Sequence, residues 1–296
     1  MKIHLIDGTY ELFRAYFALP KSVGPGGQPT GAVRGLIQTL LALMREDDVT
    51  HIACAFDSEI TSFRNDLFDG YKTGEDTPED LKEQFELAER AVSALGIVVW
   101  PMVEFEADDA IATAARRWMA DSSVEQVVMC SPDKDLAQVV CGSEVVGLDR
   151  RRNTVLDEQG VFEKFGVPPE SIPDFLALVG DSADGIPGVP RWGEKSSSQV
   201  LQKFGHVENI PDDPDLWGVK VRGANSLAKS LSENRGAALL YKELATLRID
   251  VPIMEGLEAL KWAGARREEY QALCVECGFD RLLDSPHQWN TTEYNE

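Results

Sequence analysis

Ile3-His4-Leu5-Ile6-Asp7, close to the start of the chain, is a short apolar run ended by a carboxylate. The pattern returns twice. His51-Ile52-Ala53-Cys54-Ala55-Phe56 runs into Asp57, and Gln126-Val127-Val128-Met129-Cys130 is followed, after Ser131-Pro132, by Asp133 and Asp135. Runs of this length, apolar at nearly every position, read as strands buried on both faces. Helical segments are expected at 9–18, 31–45, 79–95 and 107–120, and further strands at 96–100 and 144–148. This alternation predicts an α/β fold with a mostly parallel central sheet flanked by helices. From about 157 onward the pattern is mainly helical, with short Gly/Pro loops.

In an open α/β sheet, ligands bind in the crevice beyond the carboxyl ends of the strands. Asp7, Asp57, Asp133 and Asp135 are therefore expected along one sheet edge. Glu106, Asp108 and Asp109 open the helix at 107–120, and Asp181 and Asp184 lie in the loop Gly180-Asp181-Ser182-Ala183-Asp184-Gly185. Two carboxylates about 5 Å apart repel by roughly 3 kcal/mol at an effective dielectric of about 20, so such a set must protonate or recruit cations. Oxygen ligands without His or Cys suit Mg²⁺, with Mn²⁺ able to substitute, rather than zinc. Mg²⁺ so held works on phosphate, and two ions can clamp the attacking and leaving oxygens of a phosphodiester. A single acid at a strand end means little in a chain with 50 Asp and Glu among 296 residues. Helix capping alone accounts for one of Asp108 and Asp109. The coincidence of strand ends, a helix start and a glycine-flanked loop, all acidic, points to a metal site.

The net charge is −21. Any contact with nucleic acid must come from a local cationic stripe, and binding should be salt-sensitive. No apolar run is long enough to span a membrane, and strand one starts too early for a signal peptide. Cys54 and Cys130 fall in buried strands, and the lone Cys274-Val275-Glu276-Cys277 reads as helix packing. These features predict a cytoplasmic protein with no small-molecule cofactor.

Two loops stand out. Residues 66–80 are polar and irregular, between a strand end and a long helix, and could form a mobile lid. Gly185-Ile186-Pro187-Gly188-Val189-Pro190-Arg191-Trp192-Gly193 makes tight turns before a helix at 196–204. That helix start, with Lys195, could hold a phosphate; an ordinary helix–helix turn is the plainer reading.

The chain resembles the 5′-nuclease family, the nuclease domain of bacterial DNA polymerase I and the flap endonucleases. The resemblance runs from residue 1 to about 284 through Leu5-Ile6-Asp7-Gly8, Ala55-Phe56-Asp57, Ser62-Phe63-Arg64, Gly70-Tyr71-Lys72, Glu106-Ala107-Asp108-Asp109, Asp133-Lys134-Asp135-Leu136, and Gly180-Asp181 through Asp184-Gly185-Ile186-Pro187-Gly188-Val189. No polymerase domain follows, so the chain looks like a stand-alone member.

The resemblance implies a PIN-like nuclease core at 1–170, with a helical arch at about 66–90 carrying Lys72. It implies a helical DNA-binding region at 171–285, with a helix–three-turn–helix element at about 174–204, and a frayed tail at 286–296. It assigns Asp7, Asp57, Glu106, Asp108 and Asp109 to a first metal centre, and Asp133, Asp135, Asp181 and Asp184 to a second. Lys72, Asp7, Asp57 and Asp133 become the catalytic set. Arg14, Arg64, Lys72, Arg191 and Lys195 become DNA contacts, and K⁺ a further ion at the turn.

Three departures accompany it. Glu75 stands where a basic residue is common, and helical spacing would pair it with Lys72. Arg191-Trp192 replaces a glycine and a small residue, and Arg34 replaces an aromatic. The implied activity is metal-dependent 5′–3′ exonuclease and 5′-flap endonuclease cleavage of DNA in replication and repair. The rivals are a catalytically weakened DNA-binding protein of the same fold, a phosphatase on small phosphate esters, and a compact ribonuclease.

Overall fold

A computed structural model of the protein describes residues 1–291. The chain divides into two compact units, each discontinuous in sequence: Met1–Ile60 with Gly74–Ser131 and Ile249–Glu296, and Thr61–Thr73 with Pro132–Arg248. Compactness thus divides the chain at other points than the boundary expected near 170.

The first unit holds four parallel strands, β1 (Lys2–Asp7), β2 (His51–Asp57), β3 (Val98–Met102) and β4 (Gln126–Cys130), ordered β3-β2-β1-β4. The central strands are buried along almost their whole length, as their unbroken apolar sequence requires. Pro101 cannot donate to a ladder and falls in β3. Helices α1 (Gly8–Ala18), α2 (Gly31–Leu43) and α6 (Ala107–Trp118) belong to this unit, as do α4 (Glu79–Lys82) and α5 (Phe85–Ala94). Gly8 starts α1 against β2 so closely that a Cβ there would lie 2.5 Å from the Phe56 ring and 2.7 Å from the Cys54 sulfur. Any larger residue there would force α1 or the Phe56 and Cys54 side chains to shift.

The chain returns to this unit after Arg248. The Val251 N–H donates to Thr113 Oγ1 at 3.2 Å, the Trp262 indole to the Leu95 carbonyl at 2.8 Å, and Trp262 N–H to the Thr50 carbonyl at 2.9 Å. Helix α11 (Arg267–Cys277) follows. By compactness, the region after Ile249 lies in the unit that holds the parallel strands. The tail expected to fray from 286 is docked as far as Asn290, through Ala265 N–H to the Gln288 carbonyl and Asn290 N–H to the Ala265 carbonyl. The remainder of that expectation, 292–296, lies outside the described residues.

The second unit contains α3 (Phe63–Leu67), the antiparallel pair β5 (Val145–Asp149) and β6 (Thr154–Leu156), and helices α7 (Glu158–Phe165), α8 (Ile172–Val179), α9 (Glu194–Phe204) and α10 (Ala224–Ala245). Its interior is organised by polar side chains that satisfy turns. Asp174, fully buried on α8, accepts from the Val207 N–H at 2.8 Å and lies 2.9 Å from His206 Nδ1 and 3.0 Å from Lys242 Nζ. Trp192 is buried, its indole donating to the Leu227 carbonyl at 3.2 Å and its rings 5.8 Å from those of Trp217. The unusual Trp thus serves as a core anchor.

The arch expected over 66–90 is not a continuous helix. Between α3 and α4 the chain is irregular, with a Thr77 N–H to Gly74 carbonyl turn at 3.0 Å and Gly74 at φ +68°. Gly70, Gly74 and Pro78 supply the breaks. Helical spacing between Lys72 and Glu75 therefore fails, and with it the expected pairing of the two on one helix face. The far leg is anchored: Asp80 accepts from Tyr16 Oη and Lys21 Nζ, each at 2.6 Å, and the Gln84 side chain accepts from the Ala32 N–H at 2.9 Å at the start of α2.

Candidate metal centres

In the first unit the acids stand where strands stop. Asp7 ends β1 and caps α1, accepting from the Tyr10 N–H at 2.8 Å, while its second oxygen accepts from Ser131 Oγ at 2.8 Å. Asp57 ends β2 and accepts from the Ala107 N–H, also at 2.8 Å, at the first turn of α6. The Glu106 N–H donates to Asp109 Oδ2 at 2.9 Å, and Asp109 is fully buried. Glu106 is buried at the N-cap of α6 and Asp108 is partly exposed one residue into it. The backbone N–H groups that hold Asp7 and Asp57 fix both carboxylates at the C-terminal edge of neighbouring strands.

In the second unit, Asp135, Asp181 and Asp184 bring carboxylate oxygens within 4.8 Å of one another. Asp133 joins them, its Oδ1 accepting from the Asp135 N–H at 2.8 Å. The loop 180–188 closes on itself through reciprocal 2.8 Å bonds between Asp181 and Ile186. Gly180 and Gly188 have φ of +91° and +74°, and a Cβ on Gly188 would lie 2.6 Å from the Gly180 nitrogen. That close approach needs glycine at both ends of the acidic loop.

Electrostatics in this group follow from crowding. Burial raises the pKa of Asp133, and the Asp184 charge adds to the effect. Asp135 is raised well above the ordinary range, first by burial and then by Asp133, Asp184 and Asp181. Two lysines answer the charge. Lys72 Nζ lies 2.9 Å from Asp184 and Lys134 Nζ 2.6 Å from Asp181. Burial works against the Lys134 ammonium, but the bond to Asp181 prevails and its pKa is raised. Asp135 Oδ1 is buried with no hydrogen-bond partner among the described residues. A buried carboxylate oxygen without a hydrogen-bond partner, on a residue grouped with two further carboxylates, is the donor a hard divalent cation needs, so the residues fit Mg²⁺ or Mn²⁺.

The cations expected to contact DNA divide by placement. Lys195 is exposed in the first turn of α9. Arg191 is exposed and holds φ +74°, the left-handed geometry usually left to glycine. Arg14 is half-buried, with Glu11 against its guanidinium and Thr39 Oγ1 at 2.9 Å. Arg64 is 1% exposed, and its guanidinium donates to the Leu244 carbonyl at 2.8 Å and the Thr246 carbonyl at 3.2 Å, closing the end of α10. This placement makes Arg64 an interior cap rather than a surface phosphate contact. Lys134 escaped the sequence reading; its signal was a cation between two acids in Asp133-Lys134-Asp135. Ser131, which orients Asp7, carried no such signal.

Comparison with known proteins accords with this geometry. Residues 2–166 match the family model described as 5′-3′ exonuclease, N-terminal resolvase-like domain, and 167–268 that described as 5′-3′ exonuclease, C-terminal SAM fold. The chain is 37% identical over 287 residues to DNA polymerase I of Bacillus caldotenax, covering 96% of this chain and 32% of that protein. It therefore spans about a third of the length of such polymerases. It is 35% identical over 251 residues to a 5′-3′ exonuclease of Buchnera aphidicola subsp. Baizongia pistaciae, covering 84% of this chain and 82% of that one. Among solved structures it is similar to the T5 5′-exonuclease bound to zinc (TM-score 0.67, 18% identity, 83% of this chain and 89% of that one). It is also similar to flap endonuclease-1 from Methanococcus jannaschii (TM-score 0.58, 15% identity, 96% and 90%). At those identities the structural likeness is one of fold. The matches across both family models and the Buchnera relative establish that this chain belongs to the 5′-3′ exonuclease family.

Proposed function

We propose that this protein is a metal-dependent 5′–3′ exonuclease and 5′-flap endonuclease that hydrolyses DNA phosphodiester bonds during replication and repair. The carrying observation is the group Asp135, Asp181 and Asp184, which brings carboxylate oxygens within 4.8 Å of one another and in which one buried Asp135 oxygen has no hydrogen-bond partner among the described residues. Asp7, Asp57, Glu106, Asp108 and Asp109 are assigned to one ion, and Asp133, Asp135, Asp181 and Asp184 to another. Divalent ions held by these residues would supply Lewis acidity for phosphodiester hydrolysis.

The remaining work belongs to the chain. Lys72, tethered to Asp184, places an ammonium beside the second acid group, where it can offset charge developing on the phosphate. The fold is read as a PIN-like core, with α8, the loop 180–193 and α9 as a helix–three-turn–helix element gripping duplex backbone through Lys195 and Arg191. Arg191 keeps the left-handed backbone path that a glycine would adopt at that turn, and the carbonyls of the turn are the ligands a K⁺ ion would use. Arg14, held by Glu11 and Thr39, is the further assigned phosphate contact. Five free cysteines fit the reducing cytoplasm proposed for the protein.

The test is cleavage of end-labelled single-strand, nicked, 5′-flap and 3′-flap DNA in Mg²⁺, Mn²⁺ or EDTA. Cutting near the 5′ branch in either metal, absent in EDTA, supports the reading. Tight 5′-flap binding without cutting in either metal would favour the catalytically weakened alternative.

A further inference from the structure

The second unit contains a cavity of about 590 Å³ that the metal centres do not use. Its walls come from α7 (Lys164, Phe165), α8 (Phe175, Val179) and α9 (Glu194, Lys195, Ser198), with Lys134 at one side. Two properties are unusual together. The first is charge. In a protein with net charge −21, three lysines from separate elements, Lys134, Lys164 and Lys195, line one cavity with a single lining acid, Glu194. The Asp181 carboxylate fixes Lys134 at 2.6 Å. Lys195 lies in the first turn of α9, where a cation opposes the helix dipole and an anion would suit both. The second property is an apolar side. Phe165 and Phe175 meet edge to face at 5.9 Å, and Lys164 Nζ lies 4.8 Å over the Phe165 ring.

A cavity of this size with an aromatic wall and a cationic rim fits a group that is flat and apolar at one end and anionic at the other. We infer that this cavity binds one nucleotide, a base with its 5′-phosphate. The ligand is either the free mononucleotide that stepwise hydrolysis releases or one nucleotide of a strand. The cavity shares Lys134 with the acidic loop, so occupancy reports to Asp181 through that ion pair. The inference rests on the nuclease reading only for the supply of nucleotides, and the binding test below needs no cleavage.

The experiment is titration of the full-length, ¹⁵N-labelled protein in excess EDTA, read by the amide signals of Gly166 and Ser198. The probes are deoxyadenosine 5′-monophosphate, deoxyadenosine, and a 12-nucleotide single strand. Binding is expected to saturate with the monophosphate, to be at least fivefold weaker with the unphosphorylated nucleoside, and to weaken at least fivefold in Lys164→Glu. Thermal melting of Lys164→Glu confirms that the variant is folded, and Lys164→Gln should lie between it and wild type. Saturation by the monophosphate assigns the free product. Saturation by the strand alone, with the same dependence on Lys164, assigns a nucleotide within DNA. Unmoved Gly166 and Ser198 signals with both, or equal affinity in folded Lys164→Glu, would overturn the site while leaving the nuclease activity standing.

Discussion

Lys72 is tied to Asp184 twice: its backbone N–H donates to the Asp184 carbonyl at 3.1 Å, and its ammonium lies 2.9 Å from the Asp184 carboxylate. The Asn65 side chain holds the Lys72 carbonyl at 2.9 Å from the other direction. These contacts hold the Lys72 ammonium beside the Asp184 carboxylate. Lys72→Ala should therefore slow single-turnover cleavage by about 10²-fold while changing DNA affinity little. Rapid-quench kinetics with a 5′-flap substrate separate the two quantities. An intact rate with weakened binding would assign Lys72 to DNA affinity instead.

The crowded acids make metal-free stability depend on pH. The folded pKa values of both residues are raised, Asp133 by burial and then by Asp184, and Asp135 by burial and then by Asp133, Asp184 and Asp181. The folded state therefore binds these protons more tightly than the unfolded chain. This stabilising contribution is fully present below the ordinary carboxylate range, about pH 4, and is lost as pH rises through the raised folded values. Asp135→Asn removes one of the titrating groups, so in EDTA it should be more stable than wild type at neutral pH and less pH-dependent. It should also lose most of the thermal shift produced by Mg²⁺. Scanning calorimetry from pH 4 to 8, with and without metal, reads all three; a variant less stable than wild type at pH 8 would contradict the account.

The strand ends were legible in the sequence because a buried parallel strand is an unbroken apolar run, and its end is marked by the first charge. Asp7 and Asp57 needed no more than that. The glycine-flanked loop was legible because close backbone approach leaves glycines behind, as at Gly180 and Gly188. Arg64 was not legible: a cation in a short motif reads as a surface contact, and nothing local announces that carbonyls of Leu244 and Thr246 will receive it. The Lys72–Glu75 spacing misled for the opposite reason, since a period of three has meaning only where the chain is helical. The discontinuous units escaped because long-range returns, such as Trp262 to Leu95, leave no periodic trace.

Arg64 and Lys195 should now behave differently. Removing a buried guanidinium leaves the Leu244 and Thr246 carbonyls without a donor, so Arg64→Met should cost about 2–4 kcal/mol of folding stability. The salt dependence of DNA binding should keep its slope. Lys195→Ala should leave stability nearly unchanged and reduce that slope by about one. Urea unfolding and fluorescence anisotropy at several salt concentrations check both; a lowered slope in Arg64→Met would restore it as a phosphate contact.

Arg191 holds a left-handed backbone at the exposed turn before α9. Arg191→Gly should relieve strain of about 1 kcal/mol and remove one exposed cation. The variant is expected to melt higher and bind DNA more weakly. A lower melting temperature would mean that the arginine side chain, not the backbone, stabilises the turn.

The most direct measurement is single-turnover cleavage of a 5′-flap oligonucleotide by metal-stripped protein as Mg²⁺ is titrated in, for wild type and for Asp181→Asn. The wild-type rate should rise from zero to saturation with Mg²⁺. The variant should remain at least 10²-fold slower at every concentration while binding the same DNA with equal affinity. Cleavage by wild type in excess EDTA, or an Asp181→Asn variant that cuts at the wild-type rate, would contradict a metal-dependent nuclease built on these acids.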